Sequence, residues 1–164
     1  MKENLLQLLD SIYGNPVQIK GFTIIQGGSI NETQAIDLSN GERVFLKYNP
    51  SPPKNFFAAE ADGLRLIEKS KYGPSVPRLL GIAPGPYPKF LILEYIKSSV
   101  PKDGFARRFG QSLAEMHRET QEQYGLNYDN FIGKTVQKNN LESDGLFFFR
   151  EHRIRFQQEF ARKT

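Results

Sequence analysis

The chain has 164 residues, a formal net charge of +4 and 38% hydrophobic residues including 13 phenylalanines, enough for a packed core. It holds no cysteine, which excludes disulfides, thiolate metal sites and cysteine nucleophiles. No apolar run approaches the roughly 18 residues of a membrane span, and the first residues lack the apolar stretch of a secretory signal, so a cytoplasmic protein with no membrane partner is expected. Leu5, Leu6, Leu8, Leu9 and Ile12 recur at helical spacing, and Gly14-Asn15-Pro16 ends that helix. Residues 17–25 are rich in β-branched and aromatic side chains and predict a strand, broken by Gly27-Gly28. A second strand is expected over 30–38 and a third over 43–48. Asn40-Gly41 between them is a hairpin signal, because both residues tolerate positive φ.

The proline-rich segment Asn49-Pro50-Ser51-Pro52-Pro53 reads as a connector, and 54–70 as a helix. On that helix Phe57, Ala61 and Leu64 form one stripe; Phe56, Glu60, Gly63 and Ile67 form the next, so Glu60 faces partly inward. Two short strands follow over 77–82 and 89–94, split by a proline- and glycine-rich turn. A polar linker over 95–103 leads to a helix over 104–119 carrying Phe105, Phe109, Leu113 and Met116. Residues 124–140 read as loop. A last helix is expected over 146–162, with Phe147, Phe148, Phe149, Ile154 and Phe156. The late basic residues Arg150, Arg153, Arg155, Arg162 and Lys163 fall on this amphipathic segment and read as a solvated face, so no nucleic-acid partner is expected.

The chemistry-bearing residues lie early. Gly27-Gly28 could bring backbone N–H groups close to phosphate oxygens, although a glycine pair after a strand is by itself an ordinary turn. It is not a Walker A loop, since no Gly-Lys-Ser/Thr follows. Lys47 lies in the third strand, and strand alternation puts it on the same face as Phe45, with Val44 and Leu46 on the other. A buried lysine needs a partner, and Glu60, one to two turns into the next helix, can supply it. A glycine loop, a strand lysine and a helix glutamate in that order describe an ATP-holding lobe of the protein-kinase kind. Phe45 would then lie near the purine, and the extended segment Glu94-Tyr95-Ile96 would form the hinge that reads adenine through its backbone.

Further stretches make the likeness specific. Gly27-Gly28-Ser29-Ile30-Asn31, Val44-Phe45-Leu46-Lys47, Leu91-Ile92-Leu93-Glu94-Tyr95-Ile96 and Leu113-Ala114-Glu115-Met116-His117 resemble the fructosamine/ketosamine-3-kinase family. So do Tyr124-Gly125-Leu126, Asp129-Asn130-Phe131-Ile132-Gly133, Gln137 with Asn139, and Phe148-Phe149-Arg150-Glu151-His152-Arg153-Ile154. Aminoglycoside and choline kinases, the alternative, share the lobe but not the Asp-Asn-Phe-Ile-Gly block. The resemblance implies an α+β fold: a protein-kinase-like N-terminal lobe, with a five-stranded antiparallel sheet and a helix, then the first helices of an incomplete helical C-terminal lobe. It divides the chain into an ATP lobe with hinge over 1–97 and the start of the helical lobe over 98–164. It implies Mg-ATP as co-substrate and phosphorylation of the sugar 3-hydroxyl of a ketoamine, including glycated protein lysines. It also implies nucleotide contacts from Gly27, Gly28, Ser29, Phe45, Lys47, Glu60, Glu94, Tyr95 and Ile96.

The chain departs from the family pattern in several places. It has no tryptophan, and Gly145 stands where the family carries one before its Phe-Phe helix. Val136 replaces a proline. The His-Gly-Asp catalytic loop and the later metal-binding aspartate motif are absent. His117-Arg118-Glu119 offers glutamate for aspartate and Tyr124 where a metal-binding asparagine should fall, so it is rejected as a catalytic loop. No catalytic or metal-ligating residue is therefore assigned. A chain without catalytic turnover of its own is expected, against the alternative of a stand-alone nucleotide-binding or scaffold module.

Overall fold

Alternation along the third strand and apolar periodicity in the first two helices combine to build a sheet with a helix on each face. The structure, a computed structural model, describes residues 2–27 and 30–162. They form two compact units, Met1–Met116 and His117–Thr164.

In the first unit, helix α1 (Lys2–Tyr13) precedes strands β1 (Ile19–Ile24), β2 (Glu32–Leu38) and β3 (Arg43–Tyr48). Helix α2 (Phe56–Glu68), strands β4 (Leu79–Ile82) and β5 (Phe90–Glu94), and helix α3 (Phe105–Met116) follow. The five strands make one antiparallel sheet in the order β1-β2-β3-β5-β4, so β5 inserts between β3 and β4. Leu5 and Leu9 of α1 join Ile36, Leu38, Val44, Leu46 and Ile92 in one buried cluster beneath the sheet. Burying each such side chain is worth about 1.5–3 kcal/mol. Because strand residues alternate, the same packing turns Phe45 and Lys47 to the opposite face. There α2 lies against β4 and β5, with Phe57 and Ala61 buried as the helical stripe requires.

The element bounds differ from expectation where a side chain intervenes. Val17 opens no strand: its N–H donates to Asp10 Oδ1 at 2.7 Å, closing the end of α1, and β1 begins at Ile19. The helix expected from residue 54 begins at Phe56, after Asn55 in a left-handed conformation (φ 61°). The helix expected to reach residue 119 stops at Met116, which leaves His117-Arg118-Glu119 outside it and exposed.

In the second unit, the stretch expected to be loop over 124–140 contains a hairpin of β6 (Asn130–Ile132) and β7 (Thr135–Gln137). Tyr124 and Glu142 add an isolated antiparallel bridge, exchanging N–H···O bonds of 2.8 and 2.9 Å. The final helix is interrupted. An α-helical turn, α4 (Gly145–Phe149), runs into a π-helical segment over Arg150–Arg155 and then into α5 (Phe156–Ala161). Asp144 caps its start, Oδ1 accepting from the N–H groups of Leu146 and Phe147. Gly145 leaves room for the Tyr124 ring, since a Cβ there would sit 2.7 Å from that ring.

Candidate nucleotide site

Lys47 lies between Thr33 of β2 and Leu91 of β5 in the sheet register, and Phe45 between Ala35 and Leu93. Glu60 is the fifth residue of α2, on the side of the helix turned to this face. The Lys47 Nζ donates to Glu60 Oε1 at 2.5 Å, with both side chains about three-quarters buried (24% and 27% exposed). A largely desolvated ammonium is thereby held at a fixed point while keeping N–H donors for another anion. Such a pair is weak evidence for stability, because desolvation offsets the attraction; it is better evidence for a positioned charge.

The loop between β1 and β2 closes directly beside this pair. Ile25 N–H donates to Thr33 O at 2.9 Å and Thr33 Oγ1 donates to Ile25 O at 2.6 Å. Thr33 is the cross-strand neighbour of Lys47, so the base of the loop stands one strand from the ammonium. Gly27 takes φ +135° with open space around its missing side chain. A cavity of about 480 Å³ is lined by Ile25, Gln26, Gly27, Asn31 and Thr33 among others. Gly28 and Ser29, the rest of the predicted phosphate loop, lie outside the described residues.

At the far end of the same strand face, the Arg43 guanidinium sits 4.7 Å from the centroid of the Tyr95 ring, its Nε 3.4 Å from Asp37 Oδ1 and its Nη2 donating to Thr23 Oγ1 at 3.1 Å. The first residue after β5 is thus tied to β1, β2 and β3 at once. Sequence reasoning missed Arg43, whose alternation with Phe45 and Lys47 was the available signal. Glu94 closes the sheet on its other side: its N–H donates to Arg78 O at 2.9 Å, and its Oε2 accepts from the Arg78 N–H at 3.3 Å. Ile96 is exposed. The structure therefore brings Lys47 and Glu60 together, with Phe45 on the same face of β3. Glu94 instead pairs with Val44, whose side chain turns to the other face, and Gly27 lies out in the loop beyond Ile25.

The second unit gathers the sequence blocks that made the resemblance specific. Asn139, 2% exposed, donates through Nδ2 to Asn130 Oδ1 at 2.8 Å and to Tyr128 O at 3.2 Å. Its Oδ1 accepts from Arg153 Nη2 at 2.7 Å, and Arg153 Nη1 donates to Lys138 O. Asp129 pairs with Lys138 Nζ at 2.5 Å. The Arg153 guanidinium also covers the Phe148 ring at 4.6 Å, and burial pushes its pKa below the usual range. Residues far apart in sequence thus form one polar knot between the hairpin and the π-helical segment. Among the described residues, no cluster of three or more His, Cys, Asp or Glu side chains could hold a metal ion. No helix among the described residues is long and apolar enough to cross a membrane.

A kinase-like fold is the class this sheet and its helices define. It superposes on the crystal structure of "Putative fructosamine-3-kinase" from Haemophilus somnus 129PT with a TM-score of 0.88 and 29% identity, covering 99% of this chain and 55% of that one. A second crystal structure, from Thermobifida fusca YX-ER1, shares the fold at a TM-score of 0.78 and 24% identity, over 97% of this chain and 54% of that one. In sequence the chain is 34% identical over 140 residues to "Probable ketoamine kinase" of Enterococcus faecium, covering 85% of this chain and 48% of the relative. It is 32% identical over 149 residues to the chloroplastic protein-ribulosamine 3-kinase of indica rice, covering 89% of this chain and 43% of that protein. Residues 1–164 match the fructosamine kinase family, and the chain belongs to it. The chain spans about half the length of the curated relatives it matches.

Proposed function

We propose that this chain carries the ATP-binding half of a ketoamine kinase, which phosphorylates the sugar 3-hydroxyl of a glycated amine such as a protein lysine. The observation that supports this best is the Lys47–Glu60 ion pair held beside the base of the β1–β2 loop. In this reading the Lys47 ammonium binds α- and β-phosphate oxygens and Glu60 fixes its direction. Backbone N–H groups of Gly27, Gly28 and Ser29 cover the phosphates. Phe45 lies against the purine, and Glu94, Tyr95 and Ile96 serve as the hinge. Residues 1–97 then form the nucleotide lobe and 98–164 the start of the helical lobe.

Phosphoryl transfer also needs a group to accept the hydroxyl proton and ligands for Mg²⁺, and no residue of this chain is assigned either role. These residues alone are therefore expected to bind ATP without turning it over. The ketoamine class rests on family membership and on the names of its relatives, which include a ribulosamine 3-kinase.

Calorimetry with ATP, with and without Mg²⁺, tests the reading. Lys47→Ala removes a charge-assisted contact and should weaken binding about 10- to 100-fold while the sheet stays folded. A folded wild-type chain that binds no ATP would overturn the assignment.

A further inference from the structure

Asn49 is the one polar side chain among the described residues of the first unit that is buried, at 6% exposure. It lies two residues beyond Lys47, just past the end of β3. Every bond it makes ties a different segment. Its backbone N–H donates to Lys89 O at 2.9 Å, extending the pairing of β3 with β5. Its Oδ1 accepts from the Ser51 N–H at 3.0 Å, shaping the connector that leads to α2 and Glu60. Its Nδ2 donates to Asn31 Oδ1 at 3.1 Å, reaching across to the β1–β2 loop.

That last bond has a definite place relative to the ion pair. Asn31 is two residues before Thr33, the cross-strand neighbour of Lys47, and Asn49 is two residues after Lys47. Each two-residue step covers about 6–7 Å of extended chain, so the tether stands one pleat from the ammonium. An apolar side chain could fill the same space, but it could not hold Asn31. A carboxylate could accept a bond, yet it would set a negative charge beside a phosphate site. A neutral amide holds the loop with no charge of its own, and its burial makes an unmade bond costly.

We propose that Asn49 is a positioning residue that fixes the Asn31 end of the β1–β2 loop beside Lys47 through its hydrogen bond to Asn31. This rests on the nucleotide-site reading. It adds that the spacing between loop and lysine is set by one buried amide rather than by the glycines alone.

The test uses Asn31→Ala, which leaves both other bonds of Asn49 intact, together with Asn49→Leu and the double variant. MgATP binding is followed by calorimetry, and adenosine, which has no phosphate for the loop to hold, by ligand-observed NMR. Each single variant should weaken MgATP about three- to tenfold and change adenosine by less than about twofold, and the double variant should be no worse than the single ones. Equal losses for both ligands would show mere packing and overturn the proposal, as would unchanged MgATP affinity in Asn31→Ala. A wild-type chain that binds neither ligand would instead remove the nucleotide reading, and this inference with it.

Discussion

In the unit Met1–Met116 the buried residues are hydrophobic or proline with Asn49 the polar exception, whereas in His117–Thr164 the only described residue that is buried is Asn139. The first unit excludes water with Leu9, Ile36, Phe57, Leu91 and Ile92, each at 0% exposure. The second leaves Leu146, Phe147, Phe149 and Ile154 more than 40% exposed and orders itself around an amide, a guanidinium and two backbone carbonyls. Hydrophobic burial is non-directional and tolerates repacking, while a hydrogen-bonded knot depends on each partner. The two units should therefore fail in different ways.

The largest effect is expected in the first unit. Phe57→Ala empties a fully buried ring site and should cost about 3–5 kcal/mol, read as a lowered urea midpoint for the sheet. A shift below about 1 kcal/mol would show that the α2 face can collapse and would erase the contrast. Next comes Asn139→Ala, which removes the acceptor of Arg153 Nη2 and the donor to Asn130 Oδ1. It should cost about 2–3 kcal/mol of local stability. Hydrogen exchange should accelerate over Asn130–Gln137 while the five-stranded sheet keeps its protection. Unchanged exchange in the hairpin would mean that the knot contributes nothing.

The smallest effect concerns pH. The Arg150 side chain, Nε 2.8 Å from Oε1, and then Arg155, Nη1 3.1 Å from Oε2, hold the Glu151 carboxyl below its ordinary value of 4.5. A carboxylate whose folded pKa is depressed stabilises the fold above its unfolded value, and that support is lost as pH falls through the folded one. Helicity of the Gly145–Ala161 region should thus decline modestly as pH drops below about 4.5, and Glu151→Gln should remove that part of the decline. Circular dichroism of both chains over that range checks the sign. An identical acid transition in the variant would exclude Glu151 as its source.

How much could be read in advance follows the same division. The β2–β3 hairpin was legible from Asn40-Gly41, and the two faces of β3 from alternation alone. The meeting of Lys47 and Glu60 followed from a strand residue turned toward a helix that had to pack on that face. The β6–β7 hairpin was not legible, because strands of three residues are too short to show alternation. The missed signal was Gly133, at positive φ in a two-residue connection where a tight hairpin wants glycine. The π-helical segment left no local mark either. Periodicity near 3.6 fits both kinds of turn over six residues, and what accompanies the wider one is Arg153 reaching Lys138 O and Asn139 Oδ1.

The sequence by itself determined the elements of the first unit, its buried faces and the identity of the site's charged pair, because each depends on spacing within a few residues. Tertiary structure decided the insertion of β5 beside β3, the tie of Arg43 to Tyr95, the bond from Asn49 to Asn31 and the knot around Asn139. Those contacts join segments whose separation along the chain carries no periodic signal. Hydrogen bonds between them form only when packing has already brought donor and acceptor within about 3 Å.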